Sequence, residues 1–323
     1  MRMELKGIHH VSALTGDARK NYDFYTNVLG MRLIKKTVNQ DDISVYHLFY
    51  GDEVGHPGTE LTFFEIPMSA PNYDGNNSIS NIALRVADDG VLEYWTQRLD
   101  HFGIKHERIK KIAGHKTLAF RDPEGQRLSL VSDEYNLGVE GGMPWDKSVV
   151  PVNQGILGLG PIKLTVPNSK PTSDILENLL GFRKVNNDQA EKQGITIYET
   201  GKGGHGAQVH LEERTDLSSE RLGKGGVHHV AFRAADELEL KQWITKLQDA
   251  RIPNSGFVDR FYFRSLYFRE PNGILFEIAT DGPGFATDEH IEHLGESLAL
   301  PPFLETKREQ IEQKLKPLHT KRS

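Results

Sequence analysis

The sequence predicts an α+β fold of four β-α-β-β-β modules, and three observations predict it. One strand–helix–strand order recurs four times along the 323 residues. The hairpin RDPEGQRLSL (121–130) is echoed by REPNGILFEI (269–278). A Gly/Pro-rich, aperiodic stretch, EYNLGVEGGMPWDKSVVPVNQG (134–155), parts the modules two and two. Self-similarity of this kind marks a repeat architecture, in which each unit buries its apolar face against another.

Residues 7–36 open the first module. They read as a short strand IHHVSAL, a helix with Tyr22, Phe24, Tyr25, Val28 and Leu29 as its apolar residues, and Gly30 as its C-terminal stop. SVYHLFYGD and GTELTFFEIP supply further strands. NIALRVADDGVLEYWTQRLDHFGIKHE begins the second module, and KTLAFRDPEGQRLSLVSD closes it with a hairpin turned by Pro and Gly. The third runs from GPIKLTVPNSKPTSDILENLLGFRKV through GITIYETG and GAQVHLEE. The fourth opens on GVHHVAFRAADELELKQWITKLQDARI and closes on SLYFREPNGILFEIATD. The expected organisation is thus a first pair of modules over 1–134, a connection over 135–155, a second pair over 156–281 and a tail over 282–323. In the tail, FLETKREQIEQKLKPL places Leu304, Ile311 and Leu315 at helical spacing, which predicts a surface helix packed on one side and followed by a frayed end.

Composition narrows the function. Hydrophobic residues make up 37 %, enough with the glycines for a substantial core. A net charge of −6 argues against a nucleic-acid partner. No window approaches the ~18 apolar residues of a membrane helix, and the N-terminus shows no leader-like pattern, so a cytoplasmic protein is expected. Without cysteine there is no disulfide or thiolate ligand, and any metal must rest on His, Asp or Glu.

Strand alternation then sorts the candidates. Residues two apart share a face. In the first strand His10 goes with Ile8, Ser12 and Leu14, and His9 with Val11 and Ala13; in the fourth module His229 goes with Val227, Ala231 and Arg233, and His228 with Val230 and Phe232. The second histidine of each doublet therefore lies on the face that also carries polar residues. Glu277 stands between Phe276 and Ile278 in an otherwise core-like strand, where a carboxylate must be paired, metal-bound or neutralised. An ion pair with Arg233 or Arg260 is the bland reading of Glu277, and a satisfied core residue that of each histidine. Tyr267 shares a face with Ser265 and Arg269. Two histidines, a glutamate and a tyrosine could thus converge on one concave surface. The second module instead has Ser80 and Asn81 near the place of the His-His pair and Ser129 in the place of Glu277. The remaining histidines fall in loops, edges and the tail and read mostly as solvated, with His47 the one to watch.

The pattern resembles the vicinal oxygen chelate superfamily, and within it the hydroquinone-type ring-cleaving dioxygenases of bacteria, similar to 2,6-dichlorohydroquinone 1,2-dioxygenase. IHHVS, YHLFYGDEVGHPGT, VHHVAF, DRFYFRSLYFREPNGILFE and the tail GFATDE carry the resemblance over nearly the whole chain. It implies two cupped mixed-sheet barrels, with modules one and four sharing one metal. It also implies an extradiol-type enzyme that inserts O2 into a hydroquinone or catechol, in detoxification or catabolism. By position, the implied iron(II) ligands are His10, His229 and Glu277, with manganese(II) able to use the same donors. Tyr267 and Arg260 match active-site positions, and His9 and His228 match second-shell histidines. Homo-oligomerisation stays open. One departure is Glu65, read as corresponding to Glu277. A His10–Glu65–His229–Glu277 set would fit a glyoxalase-type isomerase or lyase on zinc or nickel, whereas the bland reading pairs Glu65 with Arg32 or Lys35. A non-catalytic small-molecule-binding protein is the third reading.

Overall fold

The computed structural model describes residues 3–135 and 137–321. Module one comprises β1 (Ile8–Thr15), α1 (Ala18–Asp23), β2 (Arg32–Val38), β3 (Tyr46–Gly51) and β4 (Glu60–Glu65). Module two comprises β5 (Ser78–Val86), α2 (Val91–His101), β6 (Lys110–Ile112), β7 (His115–Arg121) and β8 (Arg127–Ser132). Module three runs through β9 (Gly158–Val166), α3 (Ser169–Asp174), β10 (Arg183–Val185), the short α4 (Asp188–Lys192), β11 (Ile195–Glu199) and β12 (Gln208–Glu213). Module four holds β13 (Val227–Ala234), α5 (Glu237–Asp249), β14 (Val258–Asp259), β15 (Phe263–Arg269) and β16 (Leu275–Pro283).

These strands form two cupped, eight-stranded mixed sheets. One has the order β14-β15-β16-β13-β1-β4-β3-β2 and the other β10-β11-β12-β9-β5-β8-β7-β6. The first and last modules therefore share one sheet, and the two middle modules share the other. In each, the two first strands meet antiparallel at the centre, β1 with β13 and β5 with β9. Each first strand also pairs in parallel with the last strand of its own module, as β1 does with β4 and β13 with β16.

The helices reveal how the repeat is nested. In α2 the buried residues Leu92, Trp95 and Leu99 follow helical spacing, as Leu240, Trp243 and Leu247 do in α5. Helix α1 instead widens into a π turn over Phe24–Val28, and α3 does the same over Ile175–Leu179. Both then end at a left-handed glycine, Gly30 (φ 67°) and Gly181 (φ 77°). Asp17 caps α1 by accepting from the Arg19 and Lys20 amides, and Asn168 caps α3 by accepting from Lys170. Modules one and three are thus alike, as are two and four, and each sheet joins one of each kind.

The tail differs from the single helix expected. It breaks into α6 (Pro302–Glu305) and α7 (Arg308–Lys314), although Leu304, Ile311 and Leu315 are all buried as their spacing requires. The expected fraying of the end falls partly on residues 322 and 323, outside the described residues, but Thr320 is buried and donates its hydroxyl to the Gly295 carbonyl at 2.8 Å. Further back, the tail is fastened to β2: fully buried Lys35 reaches the Phe285 carbonyl (3.0 Å), Asp288 (2.7 Å) and Glu289. Phe285 and Leu294 pack with Ile34, Phe49, Phe263 and Ala279 inside the cup of the first sheet.

Candidate metal centre

The strand register lines up the candidate residues. Across five neighbouring strands one row reads Tyr267 (β15), Glu277 (β16), Ala231 (β13), His10 (β1) and Glu60 (β4). The small side chain of Ala231 separates His10 from Glu277 and leaves the space between them free. The neighbouring row pairs His229 with Ser12, Ser12 with Thr62 and Thr62 with Phe49. Three donor atoms meet between the rows. His229 Nε2 lies 2.8 Å and His10 Nε2 3.1 Å from Glu277 Oε2, and the two Nε2 atoms are 3.3 Å apart. All three side chains are buried.

This triangle has the size of one face of a coordination octahedron. Bonds of about 2.1 Å at right angles place neighbouring donors about 3.0 Å apart, so the three side chains could share one divalent ion and leave the opposite face open. Glu277 supports the fit: its Oε1 accepts from the Ser265 hydroxyl at 2.5 Å, while its buried Oε2 has no hydrogen-bond partner and points between the imidazoles. Burial alone would raise the Glu277 pKa, but His10 and His229 hold it well below the usual carboxylate range. Burial lowers the His229 pKa and keeps its ring a neutral donor. The proposed pairing of Glu277 with Arg233 or Arg260 is not formed, because Arg233 pairs with Asp281 at 2.8 Å and Arg260 with Asp41 at 3.1 Å.

A histidine stands behind each of the two imidazoles of the triangle. His9 Nδ1 is 3.0 Å from His10 Nδ1, and His228 Nδ1 is 2.7 Å from His229 Nδ1. His9 Nε2 donates to the Thr280 carbonyl at 3.0 Å. In neutral His9 the Nδ1 atom is then an acceptor, which places a proton on His10 Nδ1 and a lone pair on His10 Nε2, facing the triangle. His228 can do the same for His229, since burial and the neighbouring His229 lower its pKa to about 4. Beyond His9 lies the buried Glu60, with Oε2 3.4 Å from His9 Nδ1. Burial lowers the His9 pKa, but Glu60, with Asp281 and Glu277, raises it and the net shift is upward. His9, His10 and Glu60 also stand close enough to form a metal-binding group, but there the two Nδ1 atoms face one another as a hydrogen-bonded pair.

Tyr267 and Arg260 border the open side. The phenol oxygen of Tyr267 accepts from Arg260 Nε at 3.1 Å, which leaves the phenol proton available to another acceptor, and its ring meets that of His229 edge-on at 5.8 Å. Burial, with Glu277 nearby, keeps the phenol protonated. His47 joins the same wall, its Nε2 3.0 Å from the Thr62 hydroxyl and its ring between Phe49 and Phe64. Burial holds His47 well below its ordinary pKa.

Two sequence readings need correction. Glu65 does not correspond to Glu277. Counting two residues on from each metal-facing histidine, Ala231 pairs with Glu277 and Ser12 with Thr62, so Thr62 holds that place. Glu65 lies on the other face of β4, where Oε1 accepts from the Ala18 amide at the start of α1 (3.1 Å) rather than pairing with Arg32 or Lys35. His205 and His210 are not solvated but buried, in the second cup. Sequence reasoning also passed over Ser265, Thr280 and Glu60. Alternation places Ser265 on the face of Tyr267, but the two others are readable only once the strand register is known.

The fold and this geometry agree with what comparison finds. A model of the Glyoxalase/Bleomycin resistance protein/Dioxygenase superfamily matches residues 7–130 and 158–278. The chain belongs to that superfamily. It is 54 % identical to the "Putative ring-cleaving dioxygenase MhqA" of Bacillus subtilis, over 98 % of this chain and 100 % of the relative. It is 30 % identical to the "Chlorohydroquinone/hydroquinone 1,2-dioxygenase" of Sphingobium indicum, over 95 % of each. A crystal structure of a "putative dioxygenase" from Bacillus subtilis superposes with a TM-score of 0.89 at 35 % identity, covering 98 % of this chain and 99 % of that one. Among the described residues no helix is long and apolar enough to cross a membrane.

Proposed function

We propose that the protein is a ring-cleaving dioxygenase that holds iron(II) on His10, His229 and Glu277 and opens a hydroquinone- or catechol-type diol beside a hydroxyl-bearing carbon, the extradiol type. The observation that carries this reading is the buried 2.8–3.3 Å triangle of two imidazole nitrogens and one carboxylate oxygen, with Tyr267 and Arg260 at its open side. When bound, the metal supplies Lewis acidity and a path for electrons between the ring and O2. Both oxygen atoms enter the product, so no separate reductant is consumed.

The chain's own groups do the rest. His9 and His228 keep protons on His10 Nδ1 and His229 Nδ1 and so direct both Nε2 lone pairs inward. Tyr267 donates its phenol proton to a substrate oxygen. The Arg260 guanidinium, with Nε committed to that phenol, stabilises negative charge developing on the substrate. Phe49, Phe263 and Phe285 line the cup with apolar surface and exclude water from the reacting ring. Manganese(II) fits the same donors, and removal of quinol-type compounds in the cytoplasm is the role proposed. The glyoxalase-type alternative loses its fourth ligand, because Glu65 is spent on α1 and Thr62 stands in its place.

The test is oxygen uptake by anaerobically iron(II)-loaded protein on addition of hydroquinone, methylhydroquinone or catechol, with product mass by mass spectrometry. Uptake equal to substrate consumed, a product heavier by two oxygens and loss of both in Glu277→Ala are expected. Bound metal without uptake on any of the three diols would overturn the proposal.

A further inference from the structure

The second sheet also forms a cup, and its floor is the counterpart of the metal centre with the donors exchanged. In module four the row Ala231–Glu277–Tyr267 crosses β13, β16 and β15; in module two the equivalent row is Ala83–Ser129–Ala119. In module three it is Lys163–His210–Ile197. Two residues before Ala83 stands Asn81, where β13 has His229, and two before Lys163 stands Pro161. Both metal-binding groups found among the described residues belong to the first cup.

Loss of the donors has not been followed by closure. In the first cup, Phe285 and Leu294 of the tail pack against part of the interior. The second opens into a cavity of about 1180 Å³ whose floor residues, Ala83, Ala119 and Ser129, are small. That volume exceeds the roughly 300–1,000 Å³ of an ordinary small-molecule site, so there is room for more than a single aromatic ring. Its lining mixes aliphatic walls such as Ile112, Ile195 and Val131 with polar groups at the floor. At the floor the charge is matched, Lys163 pairing with Glu212 at 3.0 Å, while the exposed Lys105 and Lys111 stand at the rim. The uncharged polar groups are of kinds that both donate and accept. Ser129 donates to Asn81 at 2.8 Å, the His210 ring lies 3.3 Å from the Gln208 amide oxygen, and the His115 ring packs edge-on against His205 at 4.3 Å. Burial, with His205 and Lys163 near, lowers the His210 pKa to about 3, so its ring is neutral.

We infer that this second cup is a binding site, separate from the metal centre, for an uncharged fused-ring aromatic bearing hydroxyl or keto oxygens. Apolar walls bury the ring faces, while neutral imidazole, amide and hydroxyl groups meet the oxygens. At the floor, a charged ligand would have to break the Lys163–Glu212 pair to be matched. The inference does not depend on the ring-cleaving reading, since it concerns residues that contribute nothing to the triangle.

Isothermal titration of the metal-free, full-length chain with 1-naphthol tests it, with 1-naphthoate as the anionic comparison. One 1-naphthol per chain is expected, retained in His10→Ala, weakened at least tenfold in Ala119→Trp and in His210→Leu, and bound at least tenfold more tightly than 1-naphthoate. Ala119→Trp should leave the iron content of the loaded protein unchanged. Histidine-ring NMR of the unsubstituted protein gives a reading free of folding effects: 1-naphthol should move His210 and His115 signals and leave those of His10 and His229 in place. No saturable binding, tighter binding of the anion, or shifts confined to His10 and His229 would overturn the inference.

Discussion

The two cups share one blueprint and differ in a handful of side chains. Their strand orders, antiparallel seams and parallel flanks match, and each seam carries two register irregularities. At the decisive positions one cup has His10, Thr62, His229 and Glu277; the other has Asn81, Ser129, Pro161 and His210. A metal site therefore needs more than concavity. It needs three donors whose protonation is fixed from behind, and Pro161 offers no side-chain donor at all.

The largest effect should come from deleting one corner of the triangle. Glu277→Ala should weaken metal binding by about 100-fold or more and abolish oxygen uptake, whereas Ser129→Ala at the equivalent position should leave metal content intact. Metal analysis after desalting checks both, and metal loss from Ser129→Ala would break the comparison. Next, Tyr267→Phe should lower kcat by roughly 10²-fold at unchanged metal content, because it removes a single donor at the reacting oxygen. Thr62→Glu makes the first cup more symmetric by adding a carboxylate as a fourth donor. It should keep or tighten the metal while cutting oxygen uptake by about tenfold, since one open position is taken.

The second cup offers a stability effect that leaves the metal centre out. Folded His210 binds its proton only near pH 3, while the unfolded chain binds it at about 6.5. Between these values the unfolded state holds more protons, so stability falls as pH drops through that window and is unaffected above it, by roughly 3–5 kcal/mol at most. Urea unfolding of metal-free protein should show this slope, and His210→Gln should reduce it, leaving the part due to His47, His228 and His229.

Much of the architecture was legible because alternation and repetition are local signals. The doublets His9–His10 and His228–His229, with Glu277 in a core-like strand, pointed to one face without any knowledge of pairing. Register is a different matter. Thr62 and Glu65 lie on opposite faces of β4, and only the pairing of β4 with β1, matched to that of β16 with β13, shows that Thr62 is the counterpart of Glu277. His210 was missed because a single histidine in QVHLEE resembles any edge-strand residue. The π turns of α1 and α3 leave no mark in the apolar spacing, which suits an ordinary helix equally well.

The shared seam of β1 and β13 also bears on how the molecule is born. His10 leaves the ribosome early, and Glu277 follows more than 260 residues later. The sheet of the two middle modules lies wholly between them and can close before synthesis ends, whereas the first module must wait with one edge of β1 unpaired. A chain that stops short of β16 has no carboxylate to complete the triangle, so the triangle can form only once translation has passed β16.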